Sequence, residues 1–304
     1  MSKRILVGTA SWADKEFVRD WYPRGWPAKE LLSFYAERFP MVELNSSYYS
    51  VPTRKQFNDW NLATPPGFIF NVKLHKALAR HAAQRNSLPR DLQKLSPGAP
   101  RSKVELTREL ETALPQRILE TVQPLNDADK LGAFLLQLTP SFSPRNHRLD
   151  ELSHLLEMLA PNRVAVEFRN RFWVEPEQMD ETLAFLRAHN ASFVCVDAPR
   201  EKHLTIMPDV NAVTAPLAYQ RLHGRNAKGY LTGKSVAERF NYNYSDEELD
   251  EVADRSRGLA READEVHIVF NNNASDYAPV AARKLREPLG QNPGPPVEIA
   301  PKLL

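Results

Sequence analysis

A carboxylate stands inside a short apolar run. In residues 41–44 (MVEL), Glu43 has three apolar neighbours, and Asn45 follows two positions after it. Burying an ionised carboxylate without a partner is costly, so this pattern requires either a nearby cation or a use for the charge. Side chains alternate along a strand, which puts Glu43 and Asn45 on the same face. The run therefore predicts a polar site at the end of a buried strand.

Polar side chains also end six other apolar runs of the chain. Alternation groups Asn71 with Lys73, Glu167 with Arg169 and Arg221 with His223, and it adds Gln137, Asp197, Asn271 and Asn272 at three further run ends. The starts of these runs are apolar. A salt-bridge network that merely closes one end of a sheet would explain one or two such residues. A whole set at one end favours a functional site.

Two of the carboxylates could carry acid/base chemistry. If Glu43 and Glu167 face each other, they can serve as general acid and base, or as acid and nucleophile. We assign His223 and Lys73 as auxiliary acids or electrostatic groups, and Asp197 as a further member of the catalytic set. The sequence thus predicts an enzyme of the hydrolase or lyase type and leaves its substrate unspecified.

The cations of the same set favour an anionic ligand. Arg169, Arg221 and Lys73 suit phosphate or carboxylate groups, and arginine can bind them in bidentate fashion. Ion pairing with the neighbouring carboxylates accounts for the same cations equally well. The side chains that we assign to substrate binding are Trp12, Asn45, Asn71, Gln137, Arg169, Arg221, Asn271 and Asn272. The predicted partner is therefore an anionic, phosphate-bearing small molecule.

A single-metal hydrolase is one alternative. Glu43, Glu167 and Asp197 could hold one Mg²⁺ or Mn²⁺. A histidine-rich zinc site is not expected, because His223 is the only histidine at a run end. Cations such as Lys73 would compete for the same carboxylates. We therefore predict no bound metal and no cofactor.

Eight apolar, β-branched or aromatic runs supply the strands that must position these residues. They cover residues 5–9, 41–45, 68–73, 133–138, 164–168, 193–197, 218–223 and 266–271. Helical periodicity occupies residues 27–39, 53–63, 148–159, 176–190 and 245–263, and the last of these opens with Ser245 and Glu248 spaced as a capping box. Alternating strands and helices imply a parallel sheet, and eight units close a (β/α)8 TIM-type barrel whose active site lies at the C-terminal mouth. An open doubly wound sheet is the alternative, but its dinucleotide-binding form needs a glycine fingerprint that "GTASWADKE" lacks.

The chain length suits one large α/β domain. We expect a single barrel over residues 1–285 of the 304, with long insertions after strands 3 and 7. The first insertion, 74–132, is basic and is expected to hold two helices or a small subdomain, and the second spans 224–265. Residues 286–304 are rich in proline and lack periodicity, so we expect a loose tail.

Net charge favours no particular partner, but one segment is basic. The chain has 40 Lys and Arg against 38 Asp and Glu, so its total charge does not predict binding to nucleic acid or membrane. Residues 73–108 carry nine cations, namely Lys73, Lys76, Arg80, Arg85, Arg90, Lys94, Arg101, Lys103 and Arg108. A solvated helical face would explain them. Binding of DNA or RNA by this basic segment is the runner-up function.

Cysteine usage and hydropathy bear on location. Cys195 is the only cysteine, so the chain cannot form an intrachain disulfide. No stretch approaches the ~20 apolar residues of a membrane helix. The apolar run after the N-terminal basic residues is too short for a signal-peptide core. We predict a cytoplasmic protein without membrane contact, and the oligomeric state is left open.

An ordered series of motifs resembles a known family. The stretches "VGTASW", "WYPRGWPAKELLSFYAERFPMVELNSSYYSVP", "TPPGFIFNVKLHKALARH", "LLQLTPSF", "VAVEFRNRFW", "YQRLHGRN", "YSDEELDEVADR" and "VFNNNAS" resemble, in order, the YecE-like family, catalogued as domain of unknown function 72. The resemblance runs from residue 4 to 285 and implies a TIM-type barrel without a settled activity. Ser11 stands where the family commonly has glycine, so the backbone there is expected to be less free. The family-like positions are Glu43, Asn45, Lys73, Gln137, Glu167, Arg169, Arg221, His223 and Asn271.

Overall fold

The computed structural model describes residues 3–297, and within them eight parallel strands close into a barrel in chain order. The strands are β1 (Arg4–Thr9), β2 (Met41–Leu44), β3 (Ile69–Lys73), β4 (Leu131–Gln137), β5 (Val164–Glu167), β6 (Ser192–Asp197), β7 (Leu217–Leu222) and β8 (Glu265–Phe270). Pairing of β1 with β8 closes the ring. The predicted (β/α)8 barrel is confirmed, and each of the eight runs forms a strand.

Strand pairing fixes which side chains point into the barrel. The register aligns Glu43 with Asn71, and it aligns Arg221 with Val196 and Val269. Aligned residues of neighbouring strands share a face of the sheet. Because Arg221 reaches across the barrel to Glu43, the alternating set of strand residues that contains these two points into the barrel interior. The other alternating set points outward and packs against the surrounding helices.

Ten α-helices lie within the described residues. They are α1 (Lys15–Asp20), α2 (Leu31–Ala36), α3 (Arg54–Leu62), α4 (Arg108–Asn126), α5 (Ser153–Leu159), α6 (Pro176–Ala188), α7 (Ala227–Thr232), α8 (Val236–Arg239), α9 (Asp246–Glu262) and α10 (Tyr277–Arg286). The capping box predicted at Ser245 and Glu248 opens α9. The β6–β7 connection, residues 198–216, contains no α-helix, so the alternation is interrupted once there.

The connection from β3 to β4 differs from its predicted content. Two helices or a small subdomain were expected in residues 74–132, and the structure has one α-helix there, α4. The basic stretch before it is a loop with 3-10 turns at Arg85–Ser87 and Leu92–Leu95. Prolines cannot donate helical hydrogen bonds, and three of them interrupt this loop at Pro89, Pro97 and Pro100. The expected solvated helical face is therefore wrong for most of this stretch, which leads out from the barrel mouth as a loop. The second insertion, 224–265, contains α7, α8 and α9.

The C-terminal segment packs against the strand starts as far as it is described. The Gln291 amide donates to the Ile5 carbonyl at 2.9 Å, and the Arg286 guanidinium donates to the Arg38 carbonyl at 2.6 Å. The expected tail, 286–304, is described only to residue 297, and its last part lies outside the described residues. Among residues 3–297, no helix combines the length and the apolar character needed to cross a membrane.

Candidate functional site at the barrel mouth

A single guanidinium joins the two interior carboxylates. Arg221 donates from Nε and Nη2 to the two oxygens of Glu43, at 3.0 and 2.7 Å, and from Nη1 to Glu167 Oε2 at 2.5 Å. All three side chains are buried, at 1% exposure or less. Burial raises the pKa of Glu167, but Arg221, His223 and Arg169 together outweigh it and hold that pKa well below its usual value. Arg221 thus supplies the cation that the apolar run around Glu43 required.

Neutral donors complete the shell around the carboxylates. The Tyr219 hydroxyl donates to Glu43 Oε2 at 2.8 Å, and the Gln137 amide donates to Glu167 Oε1 at 2.9 Å. His223 Nε2 lies 3.2 Å from Glu167 Oε1, while Asn271 Nδ2 lies 2.9 Å from His223 Nδ1. Burial lowers the pKa of His223 to about 4, although Glu167 acts in the opposite direction. His223 is therefore neutral at pH 7, with its proton on Nε2 and pointing at Glu167.

Lys73 forms no ion pair with a carboxylate among the described residues. Its Nζ donates to Gln137 Oε1 at 2.9 Å and lies 4.5 Å from the centre of the Tyr48 ring. Within residues 3–297, no carboxylate oxygen lies within ion-pair distance of it. Burial lowers the pKa of Lys73 to about 7, and Arg221 and Arg169 add to that effect against the pull of the two glutamates. A large share of this amine is therefore neutral at pH 7.

A cavity of about 480 Å³ opens above these side chains. Lys73, Gln137, Arg169 and Arg221 contribute to its wall, whereas Glu43 and Glu167 do not line it. Its other walls come from the loops that follow β1, β2, β7 and β8, with Asp14, Lys15, Glu16, Asn45, Tyr48, Tyr49, Phe240, Asn271 and Asn273. The two carboxylates therefore support the site from below, and a ligand in the cavity would meet the amine and the Arg169 guanidinium first. We call Glu43, Lys73, Gln137, Glu167, Arg169, Arg221 and His223 the mouth cluster.

Arg169 is only partly occupied by protein partners. It donates to Glu167 Oε1 at 3.4 Å and to the Tyr230 hydroxyl at 2.7 Å. Its Nε is buried and has no hydrogen-bond partner among the described residues. Burial lowers the pKa of Arg169, but Tyr230 and Glu167 raise it further, so the guanidinium remains charged. It lines the cavity with donor capacity left over.

Asp197 does not belong to the mouth, which corrects its assignment to the catalytic set. Its neighbour Val196 is the residue aligned with Arg221, so Asp197 has the opposite parity and points outward. There it accepts hydrogen bonds from Arg225, from Arg255 of α9 at 2.7 Å, and from the Tyr244 hydroxyl at 2.8 Å. We call these four residues the Asp197 cluster.

Three residues assigned to substrate binding lie away from the cavity. Asn71 is fully buried deeper in the barrel, where its Oδ1 lies 3.1 Å from His267 Nδ1. Asn272 points out of the barrel, and its amide donates to the Tyr242 carbonyl at 2.9 Å. The Trp12 ring packs edge-on against Trp60, with 5.6 Å between ring centres. The structure brings together the other five: Asn45, Gln137, Arg169, Arg221 and Asn271 all line the cavity.

Asp14 is a cavity residue that the sequence analysis missed. It follows β1 after a short turn in which the Ser11 hydroxyl accepts the Ala13 amide at 3.1 Å. Burial raises the pKa of Asp14 to about 6. Its Oδ2 is buried and accepts no hydrogen bond from any described residue. Tyr219 was also missed, although it stands two positions before Arg221 and alternation could have found it.

The residues do not fit the single-metal alternative. In residues 3–297, no group of three His, Cys, Asp or Glu side chains is arranged to hold a metal ion. The ligand set considered from the sequence does not converge, because Asp197 faces outward while Glu43 and Glu167 give oxygens to Arg221. A guanidinium occupies the place where such an ion would have to bind.

The whole chain can now be compared with known proteins. It matches, over residues 6–302, the family model described as "Protein of unknown function DUF72". The chain is a member of the DUF72 family. This finding confirms the family resemblance and agrees with the closed barrel. It assigns no chemistry to the mouth cluster.

Relatives of this DUF72 barrel share its length. The UPF0759 protein YunF of Bacillus subtilis (strain 168) is 27% identical over 287 residues, which cover 93% of this chain and 94% of YunF. A crystal structure of the DUF72 family protein EF0366 from Enterococcus faecalis V583 matches with a TM-score of 0.78, 25% identity and 99% coverage of both chains. Another, TM1631 from Thermotoga maritima MSB8, has a TM-score of 0.76, 28% identity and coverage of 95% and 100%. These names state no activity.

Proposed function

We propose that this barrel is an enzyme that binds a small anionic substrate in the mouth cavity and transforms it by metal-independent proton transfer. The observation that carries the proposal is the charge distribution of the mouth cluster. Arg221 offsets the two buried carboxylates, while Arg169 and Lys73 line the cavity with donors left for a ligand. A phosphate or carboxylate group suits such donors.

The placement of the side chains changes the roles proposed from the sequence. Glu43 and Glu167 lie below the cavity, so they act as positioning residues for Arg221 rather than as the proton-transfer pair. Lys73 and Asp14 line the cavity and have pKa values of about 7 and about 6. Groups that titrate near the working pH are the most effective general acids and bases. We therefore assign proton transfer to this pair and anion binding to Arg169.

The test compares two arginine variants in a thermal-shift and calorimetric screen. The ligands are inorganic phosphate, sugar phosphates and 2-oxo acids, and a ligand that binds the folded state raises its melting temperature. Arg169→Gln should weaken binding of the active class by about tenfold or more. Arg148→Gln is the matched control, because that guanidinium is 81% exposed and lies outside the mouth. Equal binding by the two variants, or no binding of any anion to the wild-type protein, would contradict the proposal.

Nucleic-acid binding remains the second candidate function. Arg85 is occupied inside its loop, where it donates to the carbonyls of Gln93 and Ser96, and Arg80 pairs with Glu111 at 2.6 Å. Four other cations of the segment are exposed and have no ion pair among the described residues, namely Arg90, Lys94, Arg101 and Lys103. They could contact phosphates along a polyanion.

Salt dependence tests the second candidate. Fluorescence anisotropy with a labelled oligonucleotide should show an affinity that falls steeply as the salt concentration rises. The double variant Arg101→Gln/Lys103→Gln should reduce the slope of log affinity against log salt concentration. Absence of binding at low salt would remove this candidate.

A cytoplasmic location stays a prediction from the sequence.

A further inference from the structure

We propose that Lys73 forms an imine with an aldehyde or ketone group of the anionic substrate. The inference rests on the proposed function and narrows its substrate class to carbonyl compounds that also carry a carboxylate or phosphate. It would make Lys73 a covalent catalytic residue at the wall of the mouth cavity.

The surroundings of Lys73 leave its amine available for attack. Its hydrogen-bond acceptor is the neutral amide oxygen of Gln137, and that amide is oriented because its nitrogen donates to Glu167. Both glutamates are engaged by Arg221, so neither holds Lys73 in an ion pair. A lysine kept for charge balance would be expected to contact a carboxylate directly. This lysine reaches the cavity without one.

The same surroundings favour the nucleophilic form of the amine. A lysine becomes a nucleophile when it is desolvated or placed beside another cation. Both conditions hold here, because burial and the nearby guanidinium groups of Arg221 and Arg169 lower the pKa of Lys73 to about 7. A pKa of about 7 makes a substantial share of this amine neutral at pH 7, compared with about one part in 3000 for an ordinary lysine.

The cavity also offers groups for the protons of imine formation. The Lys73 nitrogen attacks the carbonyl carbon, and its first proton passes to the carbonyl oxygen to give a carbinolamine. The C–O bond then breaks as the second nitrogen proton passes to the departing hydroxyl, which leaves as water. Asp14 lines the same cavity with a pKa of about 6, so it can carry each proton from the nitrogen to the oxygen. Burial raises the pKa of Tyr48 to about 12, which keeps its hydroxyl protonated as a donor.

Arg169 supplies the second contact that such a substrate needs. It lines the same cavity as Lys73, and its guanidinium donates to Glu167 at 3.4 Å and to the Tyr230 hydroxyl at 2.7 Å, which leaves further N–H groups for a ligand. A carboxylate or phosphate bound there would hold the carbonyl carbon near the amine. Simple 2-oxo acids and phosphorylated aldehydes or ketones meet both requirements.

Reductive trapping tests the inference on the wild-type protein. The protein is incubated with glyoxylate, pyruvate or dihydroxyacetone phosphate, reduced with cyanoborohydride, and analysed by intact mass and peptide mapping. We expect one adduct per chain on Lys73, formed at least about tenfold faster than on exposed lysines, with a rate that rises as pH passes through about 7. Lys55→Met is the control, because that ammonium is 83% exposed and does not line the mouth cavity, and it should keep the adduct. Lys73→Met should abolish it.

The outcomes separate this inference from the proposed function. If the anions raise the melting temperature through Arg169 but no adduct forms on Lys73, the imine is overturned and the anion site stands. Adducts spread evenly over exposed lysines would also overturn it. If no anion binds and no adduct forms, both proposals fail. Because site mapping uses the wild-type chain, the test does not depend on folding of the Lys73→Met variant.

Discussion

Two groups of buried ions at the ends of the strands look alike in sequence but differ in structure. In the mouth cluster, Arg221 holds Glu43 and Glu167 inside the barrel. In the Asp197 cluster, Arg225 and Arg255 hold one carboxylate between the barrel and α9. Each contains a buried carboxylate bound by guanidinium groups, and both begin at the C-terminal end of a strand.

The difference lies in what remains unpaired. In the Asp197 cluster each arginine has a second carboxylate, since Arg225 donates to Glu251 and Arg255 donates to Asp209, each at 2.8 Å. In the mouth cluster Lys73 has no carboxylate within ion-pair distance in residues 3–297 and borders a cavity. Buried ion pairs alone therefore do not mark a functional site. A cation without a paired carboxylate that faces a cavity is the more informative feature.

The largest expected effect comes from removing the cation of the mouth cluster. Arg221→Met leaves the fully buried Glu43 without its counter-ion and Glu167 with the longer 3.4 Å contact from Arg169, which should cost about 3–5 kcal/mol of unfolding free energy. Urea denaturation monitored by circular dichroism measures this loss. The exposed control Arg148→Met should stay within about 0.5 kcal/mol of wild type. A loss below about 1 kcal/mol for Arg221→Met would show that the carboxylates do not depend on this guanidinium.

A smaller effect is expected in the Asp197 cluster. Asp197→Asn keeps the side-chain shape, and Arg225 and Arg255 keep their second carboxylates. The variant should therefore lose about 1–2 kcal/mol of unfolding free energy in the same denaturation assay. Anion binding at the mouth should be unchanged, because Asp197 points outward. Weaker anion binding in this variant would contradict the separation of the two clusters.

An effect of similar size is expected from pH, through the titration of His223 in the mouth cluster. Its pKa is about 4 in the folded protein and 6.5 in its ordinary state, so the unfolded chain binds the proton first as pH falls. The stability that neutral His223 contributes is present above pH 6.5 and is lost as pH falls towards 4. When the pH is lowered from 7 to 5, the unfolding free energy of wild type should therefore fall by about 1–2 kcal/mol more than that of His223→Gln. Parallel pH profiles for the two proteins would refute this expectation.

The sequence predicted the fold more completely than the site, for a physical reason. Apolar runs and helical periodicity report burial directly, so all eight strands could be located. Alternation groups residues within one strand, but it does not say which group faces inward. On β6 all residues from Phe193 to Val196 are apolar, and the sequence therefore carried no signal for the outward direction of Asp197. Only the alignment of Val196 with Arg221 reveals it.

The sequence also could not predict how deep each side chain lies in the barrel or how its surroundings shift its pKa. Asn71 and Lys73 share a face of β3, yet Asn71 lies one step deeper and contacts His267, while Lys73 reaches the cavity. The low pKa of Lys73 depends on burial and on arginines from β7 and the end of β5, which lie far away along the chain. Asp14 belongs to a loop without periodicity, so its place at the cavity follows only from the folded structure.

The titration of Lys73 tests most directly whether the mouth cluster holds a reactive amine. Heteronuclear NMR of protein labelled with ¹⁵N at lysine side chains, with Lys73→Met used for assignment, follows each amine as a function of pH. The mouth cluster as described predicts that the Lys73 resonance titrates near pH 7, well below the ordinary lysine value of 10.5. A Lys73 resonance that titrates with the exposed lysines would contradict it and would make the mouth cluster, like the Asp197 cluster, a structural ion network.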